Sequence, residues 1–283
     1  MIAPFGIRLR SLMTKRGPLC VGIDPHASLL GAWGLDDDAQ GLERFAMTCV
    51  DALAGQVAVL KPQSAFFERH GSAGVAVLER VVREAREAGA MVITDAKRGD
   101  IGSTMTAYAQ AYLDQSSPLA TDALTVNPYL GYESLRPALD LAAAQRCGIF
   151  VLGLTSNPEA GPVQHALAPQ GGSVAAAIVA GVAADNAGCS DLGDVGLVVG
   201  ATIGSAAADL GIDLAASHAP LLAPGIGAQG AGAAELAQVF GAAVRNVLPS
   251  SSREVLASGP SVTALQDAAD RTLDACRAVL GDT

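Results

Sequence analysis

Short apolar runs alternate with longer segments of helical periodicity along almost the whole chain. A strand places alternate residues on opposite faces, whereas a helix repeats its apolar positions every three or four residues. The apolar runs predict strands at 19–24, 57–61, 91–95, 123–126, 148–154, 195–199, 221–223 and 243–247. The periodic segments predict helices at 42–53, 74–88, 103–113, 133–145, 174–187 and 261–280, with Ala-rich helices between the last strands.

About eight strand–helix units therefore follow one another, and no linker or low-complexity segment divides them. This is the number that a (β/α)8 TIM barrel requires, so we predict an α/β fold with a single barrel domain over residues 1–283. Two smaller domains would also fit the length, and an open doubly wound sheet is the alternative architecture. No Gly-x-Gly-x-x-Gly loop follows the first predicted strand, which disfavours a dinucleotide-binding sheet.

The composition supports a large buried core. Hydrophobic residues make up 50% of the chain and charged residues 16%, which argues against disorder. A formal net charge of −10 disfavours nucleic acid or an anionic membrane as a partner, so an anionic substrate would need a local basic pocket. The segment 1–16 lacks the apolar core of a secretory signal, and the apolar run at 174–184 is shorter than the ~20 residues of a membrane span.

Cysteine and histidine are scattered through the sequence. The five cysteines are odd in number and widely separated, which is typical of reduced thiols in a cytoplasmic protein. The four histidines likewise lack the spacing of metal ligands. We therefore expect neither a metal nor a cofactor.

The most informative segment is 95–104, which follows the third predicted strand. Because alternate residues of a strand share a face, Asp95 and Lys97 are expected to emerge on the same side. The following helix is expected to be capped by Ser103 or Asp100. Taken alone, the pattern is also explained by a strand end and a capped helix whose charges are merely solvated.

Charged residues end the first and second predicted strands as well. Chemistry in a TIM barrel lies where the strands end, so inward-facing charges at these positions would meet at one mouth of the barrel. The four side chains expected there are Asp24, Lys61, Asp95 and Lys97. Buried charges must be paired, and another carboxylate such as Asp100 would complete an alternating array. Nearby carboxylates keep a lysine protonated, which makes it a proton donor rather than a Schiff-base nucleophile.

The end of the chain provides a candidate phosphate site. The segment 224–232 follows the seventh predicted strand, and a Gly-rich turn before a helix presents backbone N–H groups to an anion. Phosphate sites in TIM barrels commonly use the loops after strands seven and eight. The eighth predicted strand leads to Arg253, whose guanidinium can bind a phosphate through two hydrogen bonds.

Segment 95–104, Asp-Ala-Lys-Arg-Gly-Asp-Ile-Gly-Ser-Thr, resembles the signature of the orotidine 5′-phosphate decarboxylase family, in its longer bacterial (type 2) branch. Segments 61–68 and 126–131 are similar to the same family. Magnesium-dependent phosphosugar aldolases and synthases of this barrel superfamily carry a related Asp-x-Lys-x-x-Asp pattern and are an alternative. A non-catalytic sensor of a phosphate ligand on the same barrel is another.

The resemblance implies cofactor-free decarboxylation of orotidine 5′-monophosphate to uridine 5′-monophosphate, the last step of de novo pyrimidine synthesis. Lys97 would protonate C6 of the pyrimidine as carbon dioxide leaves, while Asp95 would face and destabilise the departing carboxylate. Lys61 would hold Asp95 and the ribose, and Asp24 would bind ribose hydroxyls.

Further substrate contacts are implied by the same resemblance. Ser156 is similar to the pyrimidine-binding serine of the family, and Gln229 and Arg253 are similar to its phosphate ligands. Shorter family members have a glycine before the final arginine, whereas Ser252 stands there in this chain. The resemblance therefore leaves open whether the main chain contacts the phosphate at that position, and the long loop 155–172 is a candidate lid.

The resemblance also implies a homodimer with shared active sites. In the family, the second aspartate of the motif and a threonine reach the active site of the partner subunit. The corresponding residues of this chain are Asp100 and Thr104.

Overall fold

Eight parallel strands form a closed barrel in the computed structural model, which describes residues 2–169, 171–225 and 231–280. The strands, β1 to β8, are Cys20–Ile23, Val59–Pro62, Met91–Arg98, Ala123–Val126, Gly148–Leu154, Val195–Val199, Leu221–Pro224 and Val247–Ser251. Each strand pairs with the next one in the chain, and β8 closes the barrel by pairing with β1. The predicted TIM barrel is confirmed.

Helices surround this barrel. In the described ranges they are, as α1 to α13, Phe5–Arg16, Ala27–Ala32, Ala39–Leu53, Ser64–Glu68, Gly71–Glu87, Gly102–Leu113, Arg136–Gln145, Gly161–Gln164, Val174–Asp185, Ala206–Asp209, Ala233–Phe240, Arg253–Leu256 and Val262–Leu280. Short 3-10 helices lie at Tyr132–Leu135, Pro158–Ala160 and Gly241–Asn246. Within the same ranges, no helix is both long and apolar enough to cross a membrane.

Two interleaved layers of buried side chains explain why the strands read as nearly continuous apolar runs. On β3, Val92 packs with the layer between the barrel and the helices. Its neighbours Met91 and Ile93 pack with the layer inside the barrel, together with Phe150 of β5 and Leu248 of β8. A parallel strand buried on both faces shows this pattern. The inward-facing positions of each strand lead directly to the side chains at the barrel mouth.

Helix α1 closes the opposite end of the barrel. Its buried face packs on the interior layer through Phe5, Leu9 and Met13. The ring of Phe5 meets that of Phe150 edge to face, with the ring centres 5.9 Å apart. Arg8 adds an ion pair of 2.7 Å to the buried Asp122, just before β4. This helix is not among those predicted from the sequence, although its apolar residues recur at the four-residue spacing typical of one helical face.

Strands β4, β5 and β6 have the predicted limits, and the other predicted strands except the last differ only at their ends. The prediction for the last strand is wrong, because Gly241–Asn246 forms a 3-10 helix and the strand is Val247–Ser251. The reason is that β8 ends in Ser250 and Ser251, which line the cavity at the barrel mouth. Half of the strand therefore lacks an apolar pattern, while the preceding Ala-rich turn has one.

Candidate active site

The carboxyl ends of the strands surround an open cavity of about 1040 Å³. Charged side chains from β1, β2, β3 and β8 or the segments after them line it, namely Asp24, Lys61, Asp95, Lys97, Arg253 and Glu254. The predicted convergence of the first four on one mouth is therefore observed. Apolar side chains of Leu152, Val198 and Leu222 form part of the same lining. The cavity thus joins a charged cluster to an uncharged wall.

Lys61, Asp95 and Lys97 form a continuous hydrogen-bonded row. The ammonium of Lys61 donates to Asp95 Oδ2 at 3.1 Å, and that of Lys97 donates to Asp95 Oδ1 at 2.5 Å. The side chains of Lys61 and Asp95 are each 9% exposed, whereas that of Lys97 is 42% exposed. Of the two lysines, Lys97 is therefore the one whose side chain is open to a molecule in the cavity.

Opposite charges keep Asp95 and Lys61 ionised. Burial favours the neutral form of Asp95, but the positive charges of Lys61 and Lys97 outweigh it and lower the pKa of Asp95 to about 2. Burial also opposes the charge of Lys61, yet Asp24 and Asp95 raise the pKa of its ammonium well above the ordinary value. At neutral pH the site therefore presents an aspartate anion and a lysine cation, side by side and shielded from water.

The backbone of β3 is irregular where it carries these charges. Thr94 pairs with Leu124 and Arg98 with Val126, so the register of β3 against β4 shifts between these pairs. Lys97 has a φ of 48°, in the left-handed region that non-glycine residues rarely adopt. Bulges of this kind re-aim side chains next to active sites. The regular alternation used for the prediction gives the correct side for Lys97, although the ladder is not regular there.

Thr125 joins the two catalytic candidates of β3 and was missed in the sequence analysis. Its hydroxyl donates to Asp95 Oδ1 at 2.9 Å and accepts a hydrogen bond from the backbone N–H of Lys97 at 3.0 Å. A signal was present, since Thr125 stands two residues after the inward-facing Ala123 on β4. His26 and Gln63 also line the cavity and were not singled out.

Asp24 provides an unused acceptor in the cavity. The residue is 9% exposed, and within the described structure its Oδ1 is buried without a hydrogen-bond partner. A buried carboxylate oxygen without a donor is costly, so this atom is suited to accept a hydrogen bond from a bound molecule. Its charge also contributes to the raised pKa of Lys61. Asp24 is therefore the second carboxylate that acts on Lys61 within a single chain, while the predicted place of Asp100 in the charge array stays a prediction.

Asp100 and Thr104 do not line the cavity of their own chain. The Asp100 carboxylate accepts a hydrogen bond of 2.8 Å from the N–H of Ile101, the residue that precedes α6. Neither Asp100 nor Ser103 caps this helix, because the cap position is occupied by Ile101 and has no side-chain hydrogen bond. The predicted cap is wrong, since the chain turns into the helix two residues earlier than the position of Ser103 required.

Of the other predicted substrate ligands, Arg253 lies in the cavity lining and Ser156 does not. Arg253 begins α12 directly after β8 and lines the cavity. Ser156 is exposed and its neighbour Thr155 lines the cavity in its stead. Thr155 is held by Gln164, which accepts from its N–H at 2.9 Å and donates to its hydroxyl at 2.8 Å. Gln229 lies outside the described residues.

The described histidines, cysteines and acidic residues do not come together in groups of three or more that could hold a metal ion. The row of Lys61, Asp95 and Lys97 instead pairs one carboxylate with two ammonium groups. Such a row can deliver a proton from a lysine ammonium to a neighbouring atom.

Comparison with known proteins gives consistent matches. The model of the orotidine 5′-phosphate decarboxylase / HUMPS family matches residues 17–268. Two relatives named orotidine 5′-phosphate decarboxylase come from Streptomyces coelicolor and Salinispora arenicola. The first is 65% identical and the alignment covers 95% of each chain; the second is 61% identical, with 98% of each chain covered.

Solved structures agree with this result. One from Streptomyces avermitilis, described provisionally as an orotidine 5′-phosphate decarboxylase, has 62% identity and a TM-score of 0.94. It is matched over 99% of this chain and 96% of its own. The structure of the Leishmania donovani OMP decarboxylase has 29% identity and a TM-score of 0.76, with 98% of this chain and 99% of that chain covered.

Proposed function

The chain belongs to the orotidine 5′-phosphate decarboxylase / HUMPS family, and we infer that it converts orotidine 5′-monophosphate to uridine 5′-monophosphate, a reaction of pyrimidine biosynthesis. The observation that carries this function is the row of Lys61, Asp95 and Lys97 at the barrel mouth. The row offers a charged, partly exposed lysine to the cavity and a buried anion beside it.

Decarboxylation requires a proton donor close to C6 of the pyrimidine. When the bond between C6 and the carboxyl carbon breaks, carbon dioxide leaves and the electron pair stays on an sp² carbon without an adjacent electron sink. Such a reaction is slow without a catalyst, and the enzyme must lower its barrier by ~20 kcal/mol. We propose that the Lys97 ammonium stabilises the charge developing at C6 and gives its proton to that carbon, forming the new C6–H bond.

Asp95 would act on the other side of the breaking bond. Repulsion between its carboxylate and a substrate carboxylate at ~3 Å, with an effective dielectric constant of ~20, is worth about 5 kcal/mol. Lys61 and Lys97 both bind Asp95 and reduce this repulsion further. Repulsion is therefore a minor contribution, and most of the barrier lowering is assigned to Lys97 and to the binding energy of the phosphate.

The other contacts of the substrate are proposed from the cavity lining and from the resemblance to the family. The unpartnered Oδ1 of Asp24 would accept a hydrogen bond from a ribose hydroxyl. Arg253, which lines the cavity, would bind the phosphate. Gln229 as a second phosphate ligand and Ser156 as a contact of the pyrimidine are proposed from the resemblance to the family alone. The wall formed by Leu152, Val198 and Leu222 suits carbon dioxide, which is uncharged as it leaves.

We also propose that the enzyme is a cytoplasmic homodimer whose chain, residues 1–283, forms one domain. Support for the dimer comes from Asp100 and Thr104, which stand outside the cavity of their own chain, as residues serving a partner's site would. The loops after β3 and β4 also expose large apolar side chains, namely Ile101, Tyr129 and Leu130. The unpaired state of all five cysteines supports a reducing compartment.

The test follows the ultraviolet absorbance of orotidine 5′-monophosphate in the presence of the protein, with EDTA in one sample and magnesium in another. We expect loss of the substrate and release of carbon dioxide at the same rate in both. A strict need for magnesium would contradict this function and favour a phosphosugar aldolase or synthase. Binding without turnover would favour a sensor of phosphate ligands.

A further inference from the structure

We propose that Thr125 is a positioning residue for the decarboxylation, because its hydroxyl fixes the backbone of Lys97 relative to the carboxylate of Asp95. The proposal rests on the proposed function, since it assigns Lys97 the proton that C6 receives.

The hydroxyl of Thr125 has only one possible orientation. Thr125 is 1% exposed and lies near the end of β4, with its side chain in the cavity lining. A backbone N–H can only donate, so the Thr125 oxygen must accept from Lys97, at 3.0 Å. The single proton of the hydroxyl is then directed to Asp95 Oδ1, at 2.9 Å.

Lys97 needs such an anchor because of its backbone conformation. A non-glycine residue keeps a φ of 48° only where the surrounding structure holds it there. Ladder pairing of Arg98 with Val126 holds the end of β3 to β4, and the N–H of Asn127 donates to the carbonyl oxygen of Arg98 at 2.8 Å. Beside this backbone pairing stands the bond from Lys97 N–H to the hydroxyl of Thr125. The bond to Thr125 acts on the lysine itself.

The same hydroxyl closes a ring around the proton donor. Asp95 Oδ1 receives the ammonium of Lys97 at 2.5 Å and the hydroxyl of Thr125 at 2.9 Å, while Oδ2 receives Lys61 at 3.1 Å. Hydrogen bonds therefore connect both the backbone of Lys97, through Thr125, and its ammonium to the same carboxylate. Because a misplacement of about 1 Å costs on the order of 100-fold in rate, this ring is suited to hold the ammonium in its working position.

Thr125→Val and Thr125→Ser separate the hydroxyl from the shape of the side chain. Valine is nearly isosteric but lacks the hydroxyl, whereas serine keeps it. We expect Thr125→Val to lower kcat by at least about tenfold and to change KM by less than about threefold, because substrate binding uses Asp24 and Arg253. Thr125→Ser should retain kcat within about threefold of wild type.

Hydrogen exchange of the Lys97 amide, followed by NMR, gives a readout that does not depend on turnover. Losing its acceptor should speed exchange of this amide by at least about tenfold in Thr125→Val and leave it nearly unchanged in Thr125→Ser. If wild type fails to decarboxylate the nucleotide, the proposed function falls, while the exchange data still show whether the hydroxyl holds Lys97.

Three results would overturn the proposal. They are an undiminished kcat in Thr125→Val, an equal loss in Thr125→Ser, and unchanged exchange of the Lys97 amide in the valine variant. Should the valine variant not fold, Thr125→Ala compared with Thr125→Ser makes the same comparison without the methyl group. If the alanine variant also fails to fold, the hydroxyl serves the fold and the proposal is wrong.

Discussion

Asp95 is the residue on which the charges of the site converge. It accepts hydrogen bonds from Lys61, Lys97 and Thr125 although its side chain is almost fully buried. Burying a carboxylate without partners would be costly, so these donors are a condition for its ionised form. The depressed pKa of about 2 expresses that balance.

This pKa has a consequence for stability. The folded value of about 2 lies below the ordinary 3.8, so Asp95 stabilises the fold above pH 3.8, and the stabilisation is lost as the pH falls through 2. The difference corresponds to about 2 kcal/mol in the free energy of unfolding. We therefore expect the difference in unfolding free energy between wild type and Asp95→Asn to be larger at pH 5 than at pH 2, by about 2 kcal/mol.

Denaturant unfolding of both proteins across this pH range measures the effect. Other carboxyl groups titrate in both proteins and cancel in the difference, so the comparison isolates Asp95. A difference in unfolding free energy that stays constant from pH 5 to pH 2 would contradict the assigned pairing.

Alternation along the strands was sufficient to place Asp95 and Lys97 on one side and to bring Lys61 to them. The left-handed φ of Lys97 could not be predicted in this way, because it belongs to a bulge and a bulge depends on the neighbouring strand. Asp100 was placed in the charge array because it stands in the motif; it lies outside the cavity of its own chain, so its part in a partner's array stays a prediction. Within one chain, the charge of Asp24 acts on Lys61.

At the scale of elements, α1 shows how the end of the barrel opposite the site is filled. The ring of Phe5 is fully buried and reaches inside the barrel to Phe150. Gly148 makes room for it, since a Cβ at that position would lie 2.5 Å from Phe5 Cδ1. The helix therefore completes the core without contributing to the cavity at the mouth.

Phe5→Ala should lower the free energy of unfolding by about 3 kcal/mol, because the cavity it leaves cannot be filled by the surrounding strands. The kcat of the folded variant should equal that of wild type, since α1 contributes no residue to the site. Ile7→Ala is the matched control, as Ile7 is 60% exposed on the same helix and its loss should cost less than about 0.5 kcal/mol.

Chemical denaturation and steady-state kinetics below the unfolding transition give both quantities. An unchanged stability of Phe5→Ala, or a loss of kcat in the folded protein, would show that α1 has another role.

Element prediction succeeded where the pattern was strong and failed where the site interrupts it. β4, β5 and β6 are continuous apolar strands, and their limits follow from the sequence. β8 gives up its apolar pattern to Ser250 and Ser251 at the cavity. The polar residues at the functional end of β8 thus make the strand hard to recognise from its sequence, a conflict expected where a site departs from local rules.

For the whole molecule, closure of the barrel is what assembles the site. Residues as far apart in sequence as Asp24 and Arg253 line one cavity because β1 pairs with β8. The eight-unit repeat predicts this closure, and with it the approximate place of the site. The partner-facing role of Asp100 and Thr104 stays a prediction, because it concerns a second chain.

Mixed dimers test that role. Neither Lys97→Ala nor Asp100→Ala alone should be active, but a hybrid of the two would contain one site with both residues intact. When equal amounts of the two variants exchange subunits at random, about half of the dimers are hybrids, and each hybrid has one working site out of two. Roughly a quarter of the wild-type activity should therefore return.

A mixture of Lys97→Ala and Lys61→Ala is the control, since both residues belong to the cavity of one chain and no hybrid site would be intact. Absence of recovery with Asp100→Ala, although mass spectrometry shows exchanged subunits, would rule out the shared site.

The most direct test of the central claim is the turnover of orotidine 5′-monophosphate by Lys97→Ala, measured beside its affinity for uridine 5′-monophosphate. If Lys97 delivers the proton to C6, kcat falls by more than about a thousandfold while the product still binds. Decarboxylation by Lys97→Ala at a rate near that of wild type would contradict the claim.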